Sequence, residues 1–214
     1  MDIRASDSTQ LGRRERNKLK VKERLYTSAL TLFTERGYDE TSIDEIADRA
    51  DVARGTFFNY FQRKEDLISA WGEERREKLG AALSSAPQQS PSAVGRLRQC
   101  MSTLGRINEE EQYQTSAMLT AWVRAGRPLI EEPYVAELFA EIVSGGREQG
   151  ELSADLQPTH VGNVLRDLYL GTLYRWCERP HGDHNVSLTE ELQATLDLLL
   201  HGITAARPQD HPTD

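Results

Sequence analysis

Cysteine is scarce in this chain. Cys100 and Cys177 are the only two in 214 residues. They lie far apart and in no metal-ligand or redox spacing, which excludes a disulfide framework and reads as two free thiols. No stretch approaches the roughly 18 uninterrupted apolar residues of a membrane span. The opening MDIRASDSTQLGRRERNK carries charge but no apolar run of a secretory signal, so a cytoplasmic protein without a membrane partner is expected. Persuasive period-2 alternation is missing, which argues against strands. Also missing are a Gly-rich phosphate loop, HExxH and a paired Glu-x-x-His motif, and all five histidines lie beyond residue 159. Nothing therefore points to an enzyme, a cofactor or a metal. His181 and His184, flanking Gly182-Asp183, make a metal pattern weaker than a plain solvated loop.

What the chain does have is an ordinary globular composition, 38% hydrophobic and 28% charged, with a length that suits one or two units. Its net charge of −8 is unevenly spread: residues 1–64 carry net +2 and residues 65–214 net −10. Within Arg13–Arg24 seven cations face only Glu15 and Glu23. A basic N-terminal footprint for phosphates, joined to an acidic body that repels them, is the physical reading, with a solvated helix face as the plainer alternative.

The periodicity predicts an all-α chain of about nine helices. Residues 1–12 form a polar arm and 207–214 a polar tail, both expected to be disordered. A first helix over Arg13–Arg36 has Val21, Leu25, Ala29, Leu32 and Phe33 as its apolar stripe and Gly37 as its stop. A fourth, long helix brings Leu67, Ile68 and Trp71 to a small core and breaks at Ser84–Pro91. Later helices are expected at about Ser92–Glu111, Gln112–Ala125 and Glu131–Gln149, with Gly145-Gly146 marking close packing or irregularity. Two more follow, one opening at Pro158 and reaching Glu178, the other capped by Ser187-Leu188-Thr189-Glu190 and running to Ala206.

The most informative stretch is Glu40–Leu67. Ile43, Ile46, Ala47 and Ala50 form one helical stripe, which Asp51-Val52 interrupts before a second short helix of two turns begins. There Phe57 and Phe61 share a face that packs inward, and Arg54 and Phe58 share another. This is the organisation of a helix-turn-helix, whose second helix enters the DNA major groove.

Thr41, Ile46, Ala47, Ala50, Val52, Gly55, Phe58, Phe61, Lys64 and Leu67 resemble, in order, the characteristic residues of the TetR/AcrR family of bacterial transcriptional regulators, with Phe58 standing for the usual Tyr. The resemblance covers about residues 19–79, with the helix-turn-helix at about 42–61. Two positions depart from it. Asp51 stands for the turn glycine, and Asp tolerates φ > 0. Ala53 stands for the frequent Ser and lacks an N-cap oxygen, typically worth about 1 kcal/mol. The resemblance implies a DNA-binding domain over 13–66 and a ligand-binding and dimerisation domain over 67–206.

It further implies that Arg54, Gly55, Thr56, Phe58, Asn59 and Tyr60 face the duplex. Arg54 would meet a guanine edge or a phosphate, Thr56 and Tyr60 phosphates, Phe58 a thymine methyl and Asn59 an adenine. Gly55 would let backbone approach closely. Thr41 and Ser42 sit at a helix N-terminus, where they cap it, bind an anion or both. Lys64 fits a phosphate clamp.

One short recognition helix makes few base contacts, so a homodimer on a palindromic double-stranded operator is expected. Leu188, Leu192, Leu196, Leu199 and Ile203 form one seam, and Val161, Leu165, Leu168 and Thr172 another, with Gly171 permitting close approach. These seams either pair two copies, as the resemblance implies, or face their own domain. Family members take up a small-molecule effector among their middle helices. Met101, Leu104, Tyr113, Met118, Trp122, Phe139, Tyr169 and Trp176 are candidates for that lining here, with plain core packing the more ordinary role for each; Arg124, Glu137 and Asp167 are candidate polar anchors, with surface placement the more ordinary reading. A repressor released by its effector is the leading expectation. An activator or global regulator on the same fold, and a helical interaction protein that does not bind DNA, are the alternatives.

Overall fold

The computed structural model describes residues 12–85, 92–126, 134–179 and 187–202. Nine helices and no strand lie among the described residues: α1 Arg13–Arg36, α2 Ile43–Arg49, α3 Arg54–Phe57, α4 Glu65–Ser85, α5 Ala93–Glu110, α6 Gln112–Arg124, α7 Tyr134–Glu148, α8 Pro158–Cys177 and α9 Leu188–His201. The expected arm and tail, the His181/His184 loop and Ile203 lie outside the described residues.

The chain divides into two compact units, Met1–Glu74 with Tyr113–Ile130, and Arg75–Gln112 with Glu131–Asp214. The first contains the expected 13–66 segment. Its core gathers Leu25, Ala29, Leu32 and Phe33 of α1, Ile46, Phe57, Phe61 and the start of α4, and it is completed by Met118 and Ala121 of α6. Phe57 has no exposed surface, and burying such a ring contributes on the order of 1.5–3 kcal/mol. Arg124 of α6 forms an ion pair with Asp39, just after α1.

In the second unit α5 packs against α7 and α9, and α7 against α8. Small residues set these distances. A Cβ on Gly162 of α8 would stand 2.3 Å from the Ala136 carbonyl oxygen of α7, and one on Gly105 of α5 would stand 2.4 Å from the Thr189 hydroxyl of α9. Gly146 lies as close to Ala93, so one half of the Gly145-Gly146 pair is there for packing.

Candidate nucleic-acid interface

Helix α2 begins with Ser42, whose hydroxyl accepts from the Glu45 N–H (3.2 Å), while the Glu45 carboxylate accepts from the Ser42 N–H (2.9 Å) and hydroxyl (2.8 Å). This is a complete capping box. It supplies the capping role expected at Ser42. The chain's own carboxylate already occupies this helix end, and the Ser42 bonds hold the Glu45 carboxyl below its ordinary range. Thr41 is buried, 2% exposed, and its hydroxyl donates to the Gly37 carbonyl (2.8 Å).

The turn closes without glycine. Asp51 has φ 53°, the only positive value among described non-glycine residues. The Val52 N–H donates to Ala47 and the Asp51 N–H to Asp48, both at 3.0 Å. That pair of bonds is a Schellman motif, and Val52 packs its side chain on the core. Ala53 then stands at the N-cap of α3 with no side-chain cap bond.

Regular helix α3 covers only Arg54–Phe57, shorter than the two turns expected. The backbone tightens beyond it: Asn59 N–H donates to Thr56, Tyr60 N–H to Phe57, and Phe61 N–H again to Phe57. The two expected faces survive this tightening. Phe57 and Phe61 are buried with ring centroids 5.6 Å apart. Gly55 and Asn59 are exposed, Thr56 and Tyr60 half-buried, and Phe58 is 45% exposed. The Arg54 guanidinium lies 5.8 Å from the Phe58 ring centroid and forms an ion pair with Asp44 of α2. A Cβ on Gly55 would meet nothing within 4 Å.

Lys64 is a staple rather than a side chain reaching into solvent. Its ammonium donates to the Tyr38 carbonyl (2.6 Å) and the Thr41 carbonyl (2.9 Å), 4.0 Å from the Tyr38 ring centroid. Burial lowers its pKa from the ordinary lysine value, opposed by Asp39 and Glu65. Two of its three N–H groups are thereby occupied, which leaves one for an outside anion.

Residues 13–20 of α1 are exposed throughout. Between them and the end of the recognition segment opens a groove of about 620 Å³, lined by Arg14, Asn17 and Lys18 on one side and Asn59 and Tyr60 on the other, with Glu15 and Val21. The cation cluster was legible as a footprint; its partner across the groove was not. Two further participants were missed. The Ser42–Glu45 box is written in the sequence as S-x-x-E, whereas Asp44 and Arg54, ten residues apart, share no local pattern.

The other expected residues are divided between the units. Met118 belongs to the core of the first unit, Trp122 packs against it partly buried, and Tyr113 is 66% exposed. Met101, Leu104, Phe139, Tyr169 and Trp176 are buried in the second. There the Asn108 amide donates to the Leu104 carbonyl (2.7 Å) and to the Tyr169 hydroxyl (3.1 Å), and burial pushes Tyr169 up to about 12. Arg124, Glu137 and Asp167 take the surface placement that is their ordinary reading: Arg124 pairs with Asp39, Asp167 with Arg166, and Glu137 is exposed.

The expected dimer seam also splits. Leu165, Thr172, Leu192 and Leu196 are at most 1% exposed and face their own unit. Leu165 and Thr172 are seven residues apart along α8, and Leu192 and Leu196 four apart along α9, spacings that keep one side of a helix toward its own neighbours. Val161, Leu168 and Gly171 are partly exposed, Leu199 is 42% exposed, and so is Leu198, at 54%, which the seam omitted. Among the described residues the nearest atom to a Cβ on Gly171 is the Arg175 guanidinium at 3.6 Å.

Among the described residues no helix is long and apolar enough to cross a membrane, and no group of three or more His, Cys, Asp or Glu gathers to hold a metal. Residues 25–71 match the family "Bacterial regulatory proteins, tetR family". Residues 122–202 match "TetR/AcrR family transcriptional repressors, C-terminal domain". The chain is 29% identical over 177 residues to the HTH-type transcriptional repressor KstR of Mycolicibacterium smegmatis, covering 82% of this chain and 85% of that one. Among solved structures it resembles Thermus thermophilus FadR, a TetR-family transcriptional repressor in complex with lauroyl-CoA, with 31% identity, 90% and 100% coverage and a TM-score of 0.63. Bacillus subtilis FadR in complex with stearoyl-CoA shares the fold, with 21% identity, 85% and 99% coverage and a TM-score of 0.68.

Proposed function

Because this chain belongs to the TetR/AcrR family of bacterial transcriptional regulators and is a DNA-binding repressor governed by a small-molecule effector, we propose that it works as a homodimer on a palindromic operator and is released by an acyl-CoA thioester. The segment Arg54–Tyr60 enters the major groove. Arg54 reads a guanine edge, Phe58 and Asn59 lie against neighbouring bases, and Thr56 and Tyr60 hold phosphates. Arg14 and Lys18 neutralise the same strand where it passes between α1 and Tyr60. Lys64 gives its third N–H to a phosphate while its other two hold the α1–α2 turn.

The observation that carries this reading is the groove: a cationic helix stands on one side and the end of the recognition segment on the other. Dimerisation is supported by the apolar side chains that α8 and α9 leave outside their own unit, Leu168, Leu198 and Leu199 among them. The ligand class is supported by the likeness to the lauroyl-CoA complex of T. thermophilus FadR. It is supported too by an interior of Met101, Leu104, Phe139 and Trp176 whose buried polar pair is Asn108 and Tyr169. Operator and effector then weaken each other's binding by one common factor.

Fluorescence anisotropy with DNA from upstream of the chain's own coding sequence tests the reading. Specific binding should fall steeply with salt, with a log–log slope of about 0.9 per neutralised phosphate, and should be lost on adding lauroyl-CoA but not CoA alone. Absence of specific binding at low salt would favour the helical interaction protein. Operator binding indifferent to acyl-CoA of every chain length would remove the ligand class and leave the DNA reading standing.

A further inference from the structure

We infer that Asp44 of α2 is a positioning residue for base readout, setting the orientation in which Arg54 meets the DNA. The inference rests on the reading of Arg54–Tyr60 as the DNA-facing segment and adds a specificity determinant outside it.

Arg54 is the first residue of α3 and is anchored by no other described side chain than two. Asp44 takes its Nη1 in an ion pair, and the Phe58 ring lies 5.8 Å from its guanidinium carbon. A guanidinium is a rigid plane with five N–H donors. When one carboxylate holds a terminal nitrogen and an aromatic ring flanks the group, its rotation is restricted and the remaining donors keep a defined direction. Bidentate recognition of guanine needs just such a fixed fork.

Stability does not explain the pair. Both side chains remain more than half exposed, at 58% and 57%, and exposed ion pairs contribute little to folding. Helix capping does not explain it either, since the α2 N-terminus is closed by Ser42 and Glu45 without Asp44. A carboxylate beside a DNA-reading surface also repels phosphates, so its presence works against affinity. Beyond the favourable place of an acid in the first turn of α2, what Asp44 does here is hold Arg54.

Sequencing of a randomised operator library after selection by the full-length wild type, Asp44→Asn, Asp44→Glu, Arg54→Ala and the double variant Asp44→Asn/Arg54→Ala tests this. The base pair read by Arg54 is the one whose preference disappears in Arg54→Ala. At that position Asp44→Asn should lose roughly 3- to 10-fold in discrimination, a part of the span a bidentate pair provides. Asp44→Glu should retain most of it. Affinity of Asp44→Asn for non-specific DNA should hold or rise, because a negative charge has gone. In the Arg54→Ala background the Asp44 substitution should change no base preference.

The inference is overturned by an unaltered preference in Asp44→Asn while Arg54→Ala alters it, or by an altered preference that persists without Arg54. An unaltered preference in Arg54→Ala would overturn it as well. Failure of the wild type to select any DNA sequence is a separate outcome and removes the underlying reading of the interface.

Discussion

Replacing Gly55 by Ala separates what the protein needs for folding from what it needs for DNA. Gly55 lies within α3 and has no left-handed φ, and a Cβ there meets nothing within 4 Å. The fold therefore gives no reason for glycine. Alanine is the better helix former by about 0.8–1.0 kcal/mol in a helix interior, and roughly half of that is a fair expectation in one short turn. The variant should melt about 1–2 °C higher, given the shift per kcal/mol usual for a chain of this size. Operator binding should move the other way. A methyl group reaching about 1.5 Å beyond the backbone holds α3 off the duplex and costs at least one charge-assisted hydrogen bond, about 1.5–3 kcal/mol, or roughly 10- to 150-fold in Kd. Thermal melting by circular dichroism and anisotropy titration at one salt concentration provide both numbers. A Kd within about twofold of wild type would refute the close approach at Gly55, and a lower melting temperature would refute the open space around it.

Other substitutions probe the remaining structure. Gly162→Ala forces a Cβ against the Ala136 carbonyl at 2.3 Å and should destabilise the protein by about 1–3 kcal/mol, as overpacking does; a urea midpoint equal to wild type would count against the α7–α8 contact. Asp51→Val puts a β-branched residue at φ 53° and should cost about 1–2 kcal/mol, whereas Asp51→Gly should be neutral or slightly stabilising, both read from melting temperatures. Burial pushes the Glu109 carboxyl up, but hydrogen bonds from the Thr189 N–H and the Ser187 and Thr189 hydroxyls outweigh it and leave the pKa below the ordinary value. A depressed carboxyl contributes stability that is full above the unfolded pKa of about 4.3 and is lost as pH falls through the lower folded value. Glu109→Gln should therefore lower stability at pH 7 and flatten its decline below about pH 5; parallel acid limbs in melting temperature against pH would contradict this.

Helix boundaries were legible because each stripe and stop is local. Gly37, Pro158 and the Ser187 box mark ends that the structure places at Arg36, Pro158 and Leu188. What local patterns leave open concerns partners far apart in sequence. Met118 and Trp122 look like pocket residues because an apolar stripe does not say which core it enters. Leu192 and Leu196 read as a dimer seam because four-residue spacing is the same whether a helix faces α5 or a second copy. Lys64 matched a phosphate position by type, yet the carbonyls of Tyr38 and Thr41 that hold it lie more than twenty residues away. Asp44 gave no signal, since an exposed acid in the first turn of a helix is ordinary.

The participation of Met118 and Ala121 in the same core as Phe33 and Phe57 has a consequence during synthesis. The polypeptide leaves the ribosome in order, and the first unit is incomplete when Trp71 emerges. Roughly fifty more residues must be translated before α6 arrives, an interval of about 3–10 s at ordinary elongation rates. Until then the nascent three-helix segment presents an open apolar side. A fragment cut after α4 would keep that side exposed indefinitely and should associate with itself or recruit chaperones, however intact its recognition segment.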